Sequence, residues 1–73
     1  MEYELDAIGL LCPLPVLKAR KRLQGLESGD VLVVQTDDPA AVIDMPHFCA
    51  EAGHELLGHD EAGPVITWRV RKG

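Results

Sequence analysis

Val31-Leu32-Val33-Val34-Gln35-Thr36 is the stretch around which the rest of this chain arranges itself. A continuous apolar run of this length suits a strand covered on one face and flanked by neighbours, which predicts an interior strand. Upstream of it, Glu27-Ser28-Gly29-Asp30 reads as a turn. Before that turn, from Pro13 to Leu26, Val16, Ala19, Leu23 and Leu26 recur at helical spacing. Lys18, Lys21 and Arg22 fall on the opposite face of this helix, and Arg20 lies at the edge of the apolar stripe. Residues 2 to 7 alternate Glu2, Glu4 and Asp6 against Tyr3, Leu5 and Ala7, the period of a half-buried first strand.

Downstream, Asp37-Asp38-Pro39 reads as a second helix start, with Asp38 as N-cap and Pro39 at the first helical position. Pro46 predicts a kink or a break near Asp44, which would cap the second piece. Val42, Met45, Cys49 and Ala52 form the expected apolar stripe, and Gly53 the C-terminal cap. A short strand from His54 to His59 around Leu56 and Leu57, a turn over Asp60-Glu61-Ala62-Gly63-Pro64, and a last strand alternating Ile66, Trp68 and Val70 with polar residues complete the chain. The order is β-α-β-α-β-β. The fold class is α+β: a two-layer sandwich with two helices on one face of a four-stranded mixed sheet, residues 1–73 making a single domain.

The 73 residues carry a net charge of −5, which argues against a nucleic-acid backbone as the main ligand. One Trp, one Tyr and one Phe leave no platform for stacking bases. The charge is unevenly placed. All twelve acids lie outside residues 7 to 26, so the first helix carries +4 against −9 for the remainder. Several like charges on one face can steer an acidic partner, although a solvated basic face explains them equally well. Met1-Glu2-Tyr3-Glu4 is acidic with no apolar segment behind it, unlike a signal peptide, and no run approaches the roughly 20 apolar residues that span a bilayer. Two cysteines outside any disulfide-rich pattern make a reducing cytoplasm the expected setting, with no membrane partner.

Chemistry concentrates in Gly9-Leu10-Leu11-Cys12-Pro13-Leu14-Pro15-Val16. Pro13 and Pro15 suit the first turn of a helix, where N–H groups lack intrahelical partners. That places the Cys12 thiol at the positive end of a helix, a setting that favours thiolate and makes Cys12 the candidate nucleophile. The plainer alternative is a small residue filling a helix N-terminus. Cys49, on the apolar stripe, is expected to be core. A Cys12–Cys49 disulfide would need Cα atoms within about 7 Å and stays open, but the spacing is unlike a Cys-x-x-Cys exchanger. His47, His54 and His59 show no short ligand spacing, so no metal is expected. Asp37 and Asp38 read as turn and cap residues, with contact to a partner as a further possibility. A reactive thiol without base, metal or cofactor motif, in a chain too small for a deep pocket, suits covalent carriage of an atom. Sulfur held as a Cys12 persulfide fits, with no other cofactor.

Leu5-Asp6-Ala7-Ile8-Gly9-Leu10 with Cys12-Pro13-Leu14-Pro15, then Arg20-Lys21, Asp37-Asp38-Pro39-Ala40, Asp44-Met45-Pro46, Phe48-Cys49, Gly53-His54 and Arg71-Lys72, resemble in order and register the TusA/SirA family of sulfur carriers. The resemblance implies a two-layer sandwich similar to the C-terminal domain of translation initiation factor 3. It implies that Cys12 receives sulfur from a cysteine desulfurase or rhodanese-type donor. The acceptor would be a relay protein for 2-thiolation of the tRNA wobble uridine, or a partner in dissimilatory sulfur oxidation or molybdenum-cofactor supply. Lys18, Arg20, Lys21 and Arg22 would dock an acidic partner surface, Arg20 and Lys21 foremost, in transient complexes of a monomer. Two turns of helix separate Arg20 from Cys12, so no direct contact is expected. Two other functions compete: a non-catalytic regulatory or adaptor domain, and a redox sensor using Cys12.

Overall fold

The computed structural model describes residues 1–73. Its elements run β1 (Glu2–Asp6), α1 (Leu14–Gln24), β2 (Val31–Thr36), α2 (Ala41–Ala52), β3 (Glu55–Ala62) and β4 (Val65–Arg71). The sheet order is β1-β2-β4-β3, so β2 is interior as its apolar run predicts. β1 and β2 are parallel, which requires a crossover, and α1 supplies it. The β2–β4 and β3–β4 pairs are antiparallel. β3 and β4 meet through Gly63-Pro64, with Ala62 opposite Val65. Gly63 has φ of 60°, which suits the first position of a type II′ turn, and the fixed φ of Pro64 suits the second.

One face of the sheet buries Leu5, Ala7, Leu32, Val34, Ile66, Trp68 and Val70 against Ala19 and Leu23 of α1 and Ala41, Met45, Phe48 and Cys49 of α2. Trp68 is the largest of these, and its Nε1 donates to Thr36 Oγ1 at 2.9 Å, so the indole is buried without an orphaned donor. The other face mixes half-buried Val31, Val33 and Val65 with charged residues. There Arg69 pairs with Glu2 at 2.8 Å and Arg71 with Glu55 at 2.9 Å, exposed contacts of about 1 kcal/mol at most.

Four expectations need correction. α2 runs unbroken through Pro46, because Met45 on one side of the proline and Phe48 and Cys49 on the other are buried in the same core, holding both halves in register. The buried stripe of α2 is Ala41, Met45, Phe48 and Cys49; Val42 is 52% exposed and Ala52 is exposed. The helix starts at Ala41, with Ala40 rather than Asp38 at the N-cap position, although Asp38 Oδ1 accepts the Ala40 N–H at 3.3 Å. β3 continues through Asp60, Glu61 and Ala62, residues expected to form the turn. It is an edge strand, where charged side chains stay solvated while the backbone pairs with Thr67, Ile66 and Val65. A register shift between Leu56 and Gly58 leaves Leu57 as the extra residue of a bulge.

Candidate functional site

The loop between β1 and α1 is held by carboxylates from its neighbours. Asp6 accepts the Ile8 N–H at 2.9 Å, Asp37 the Gly9 N–H at 2.9 Å, and Asp38 the Cys12 N–H at 2.5 Å. Asp37 and Asp38 follow β2, the strand parallel to β1, so the sheet brings these acids to the loop. Their carboxylates therefore anchor the thiol loop, a structural task beyond the turn and cap roles their sequence suggests.

Cys12 is exposed, and its Sγ donates to Asp44 Oδ2 at 2.6 Å. That hydrogen bond, with the nearby negative charges of Asp44 and Asp38, raises the Cys12 thiol above its ordinary value. The thiolate expected from the helix terminus is thus not favoured in the free chain. The prolines explain part of this. α1 begins at Leu14 with Pro13 before it and Pro15 inside the first turn, so two residues contribute no N–H, and the Leu14 N–H is spent on Leu11 O at 2.8 Å. The same residues that permit the helix start remove donors that would stabilise an anion there. Asp44 then supplies a charge of the opposite sign.

Beside Cys12 a groove of about 200 Å³ opens between the two helices. Pro13, Val16 and Arg20 of the α1 side face Asp44, His47, Phe48 and Glu51 of α2 across it. Arg20 therefore shares a groove with Cys12 despite two turns of separation, and its Cζ stands 5.5 Å from the centroid of the Phe48 ring. His47 lies 3.4 Å from Glu51, one turn along the same helix. Leu11 and Ile43, chain neighbours of Cys12 and Asp44, are 68% and 75% exposed.

The other three bases of α1 sit apart. Lys18 Nζ donates to Asp6 O and Arg22 to Glu4 O, both at 3.1 Å, and Arg22 also stacks 5.8 Å from the Tyr3 ring centroid. With Lys21 they line a second groove of about 460 Å³ floored by Leu5 and Leu26. Ala7 N–H bonds to Gln35 O and Met1 O accepts the Val31 N–H, so odd-numbered groups of β1 face β2 and the Glu4 and Asp6 carbonyls face the open edge. Lys18 and Arg22 cover that edge. The four bases thus do not form one docking face.

Cys49 is 2% exposed, and burial pushes its thiol up to about 11. Both cysteines are free thiols. No three side chains among His, Cys, Asp and Glu converge as a metal-binding group. No helix is long and apolar enough to cross a membrane. Glu51 has no place among the residues singled out from sequence, and Asp44, His47 and Phe48 enter there only as a cap, a metal ligand set aside and part of the family pattern. The signal for three of them was present: Asp44, His47 and Glu51 stand at i, i+3 and i+7, a polar stripe beside the buried one.

A family model described as Sulfurtransferase TusA matches residues 3–72. Among solved structures, a SirA-like protein from Desulfitobacterium hafniense superposes with a TM-score of 0.84 at 27% identity, covering 97% of each chain.

Proposed function

The chain belongs to the TusA family, and from that premise we propose that it carries sulfur as a persulfide on Cys12, accepting it from one protein and delivering it to another. The observation that carries this reading is the exposed free thiol on a loop pinned by Asp37 and Asp38 at the rim of a shallow groove. In each transfer a thiolate attacks the terminal sulfur of a persulfide. One S–S bond forms as another breaks, and the departing thiolate takes up a proton, so no net oxidation occurs. Such a reaction needs an approachable sulfur, which an exposed site provides and a deep pocket would hinder.

The donor in this reading is a cysteine desulfurase or a rhodanese-type protein, and the acceptor a sulfur-relay protein serving tRNA wobble-uridine thiolation or dissimilatory sulfur metabolism. The exposed Leu11 and Ile43 beside the thiol suit transient protein docking. A reducing cytoplasm would keep both cysteines free. The carrier is tested by loading it with a desulfurase and labelled cysteine, removing the donor, and offering a relay acceptor. Label should pass through wild-type protein and not through Cys12→Ser. Passage through Cys12→Ser would reject the proposal.

A second reading, a docking domain without sulfur chemistry, draws its support from the carboxylate that holds the thiol protonated. It predicts binding to partners with no persulfide at any stage.

A further inference from the structure

We propose that Asp44 gates Cys12, holding the nucleophile as a hydrogen-bonded thiol in the free carrier until a basic side chain of the docking sulfur donor pairs with Asp44 and releases the thiolate. This rests on the sulfur-carrier reading above and names the chemistry of the surface that Cys12 meets.

Three observations carry it. The Cys12 Sγ stands 2.6 Å from Asp44 Oδ2 as hydrogen-bond donor, and that carboxylate comes from α2 rather than from the loop that carries the thiol. A second carboxylate, Asp38, is bound to the backbone N–H of the same cysteine. The groove's own cation is occupied elsewhere: Arg20 stacks on Phe48 and forms no ion pair within 4.0 Å of an acid. The groups facing the thiol groove are therefore Asp38 from the β2–α2 connection, Asp44, His47 and Glu51 from α2, and Arg20 from α1. Acids outnumber the permanent cation, so a thiolate formed in the free chain lacks a counter-charge. A lysine or arginine brought against Asp44 would remove the opposing charge and supply one of the right sign at a single step.

The reaction then balances without a further reagent. The Cys12 thiol loses its proton, the thiolate attacks the terminal sulfur of the donor persulfide R–S–SH to form Cys12–S–SH, and the leaving R–S⁻ takes up a proton. The acidic surround also protects an exposed thiol from electrophiles between partners, since the thiolate is the reactive form.

Asp44→Asn keeps an acceptor and loses the charge. Each unit by which the thiol pKa falls raises the thiolate fraction about tenfold while intrinsic nucleophilicity drops about threefold, a net gain of about threefold. Iodoacetamide should therefore alkylate Cys12 of Asp44→Asn faster than wild type at pH 7, by about threefold or more, while Asp60→Asn, on the edge strand β3 away from the groove, should match wild type. An unchanged or slower rate in a variant with wild-type circular dichroism overturns the gate. Asp44→Ser gives the same readout should the asparagine variant fold poorly. Loading separates gating from simple activation. With sodium polysulfide Asp44→Asn should load faster than wild type, and with a cysteine desulfurase plus cysteine it should load more slowly. The desulfurase-to-polysulfide ratio should fall about tenfold; an equal or higher ratio overturns the partner cation. If neither donor loads wild-type Cys12, the carrier reading fails, and the alkylation rates still decide whether Asp44 restrains the thiol.

Discussion

Cys12 and Asp44 stand 32 residues apart in the chain and 2.6 Å apart in space, thiol donating to carboxylate. The contact exists because the parallel β1–β2 pair delivers two loops to the same end of the sheet, one bearing the thiol and one starting α2. It reverses the electrostatic expectation that a helix N-terminus creates.

The two thiols titrate for different reasons and should be separable. The hydrogen bond and charge of Asp44 raise the Cys12 thiol above its ordinary value, and burial raises Cys49 to about 11. A disulfide reagent at pH 8 should label one thiol per native chain and two in denaturant; two in the native state would contradict the buried position of Cys49. A thiol whose folded pKa exceeds its unfolded value stabilises the fold fully below the unfolded pKa and loses that contribution as pH rises through the folded one. Stability measured by urea titration should therefore fall from pH 9 to pH 11, and less steeply in Cys49→Ala.

Lys18 and Arg22 donate to the edge carbonyls of β1. Replacing both by alanine should cost about 1 kcal/mol, since the freed carbonyls can be hydrated. The larger effect is exposure of an unpaired edge, which favours strand-to-strand association. Sedimentation should show concentration-dependent self-association for the double variant and none for Lys21→Ala. Identical behaviour of the two would refute edge protection.

Arg20 shares the groove of Cys12 and Lys21 does not. Charge reversal at Arg20 should slow sulfur loading from a protein donor several-fold at low ionic strength, with a smaller change for Lys21→Glu. Equal effects would return the docking role to the basic helix as a whole.

Thr36 is fully buried and accepts the Trp68 indole N–H. Thr36→Val keeps the shape and removes the acceptor, leaving a buried donor unpaired at a cost of about 1–3 kcal/mol. A thermal midpoint unchanged from wild type would show that the bond contributes nothing.

The sheet was legible wherever one residue in two had to be apolar. β1, β2 and β4 follow from the alternation of Tyr3, Leu5 and Ala7, the run from Val31, and the alternation of Ile66, Trp68 and Val70, because burial on one face permits no other register. β3 extends past the strand its sequence suggests because Asp60, Glu61 and Ala62 carry turn-like composition, and an edge strand draws its order from its partner rather than from its own side chains. In α2 the local cost of Pro46 was visible and the burial that overrides it was not. Cys12 stood out through its prolines. Asp44 is legible only as one member of a polar stripe with His47 and Glu51, since its contact with the thiol arises when α2 is laid against the loop.

The most direct test is the intact mass of wild-type, Cys12→Ser and Cys49→Ser protein after incubation with a cysteine desulfurase plus cysteine, and separately with a rhodanese plus thiosulfate. A reducible gain of one sulfur atom in wild type and Cys49→Ser, and none in Cys12→Ser, is the predicted result for at least one donor. Sulfur gained by Cys12→Ser, or no gain by wild type with either donor, would contradict persulfide carriage on Cys12.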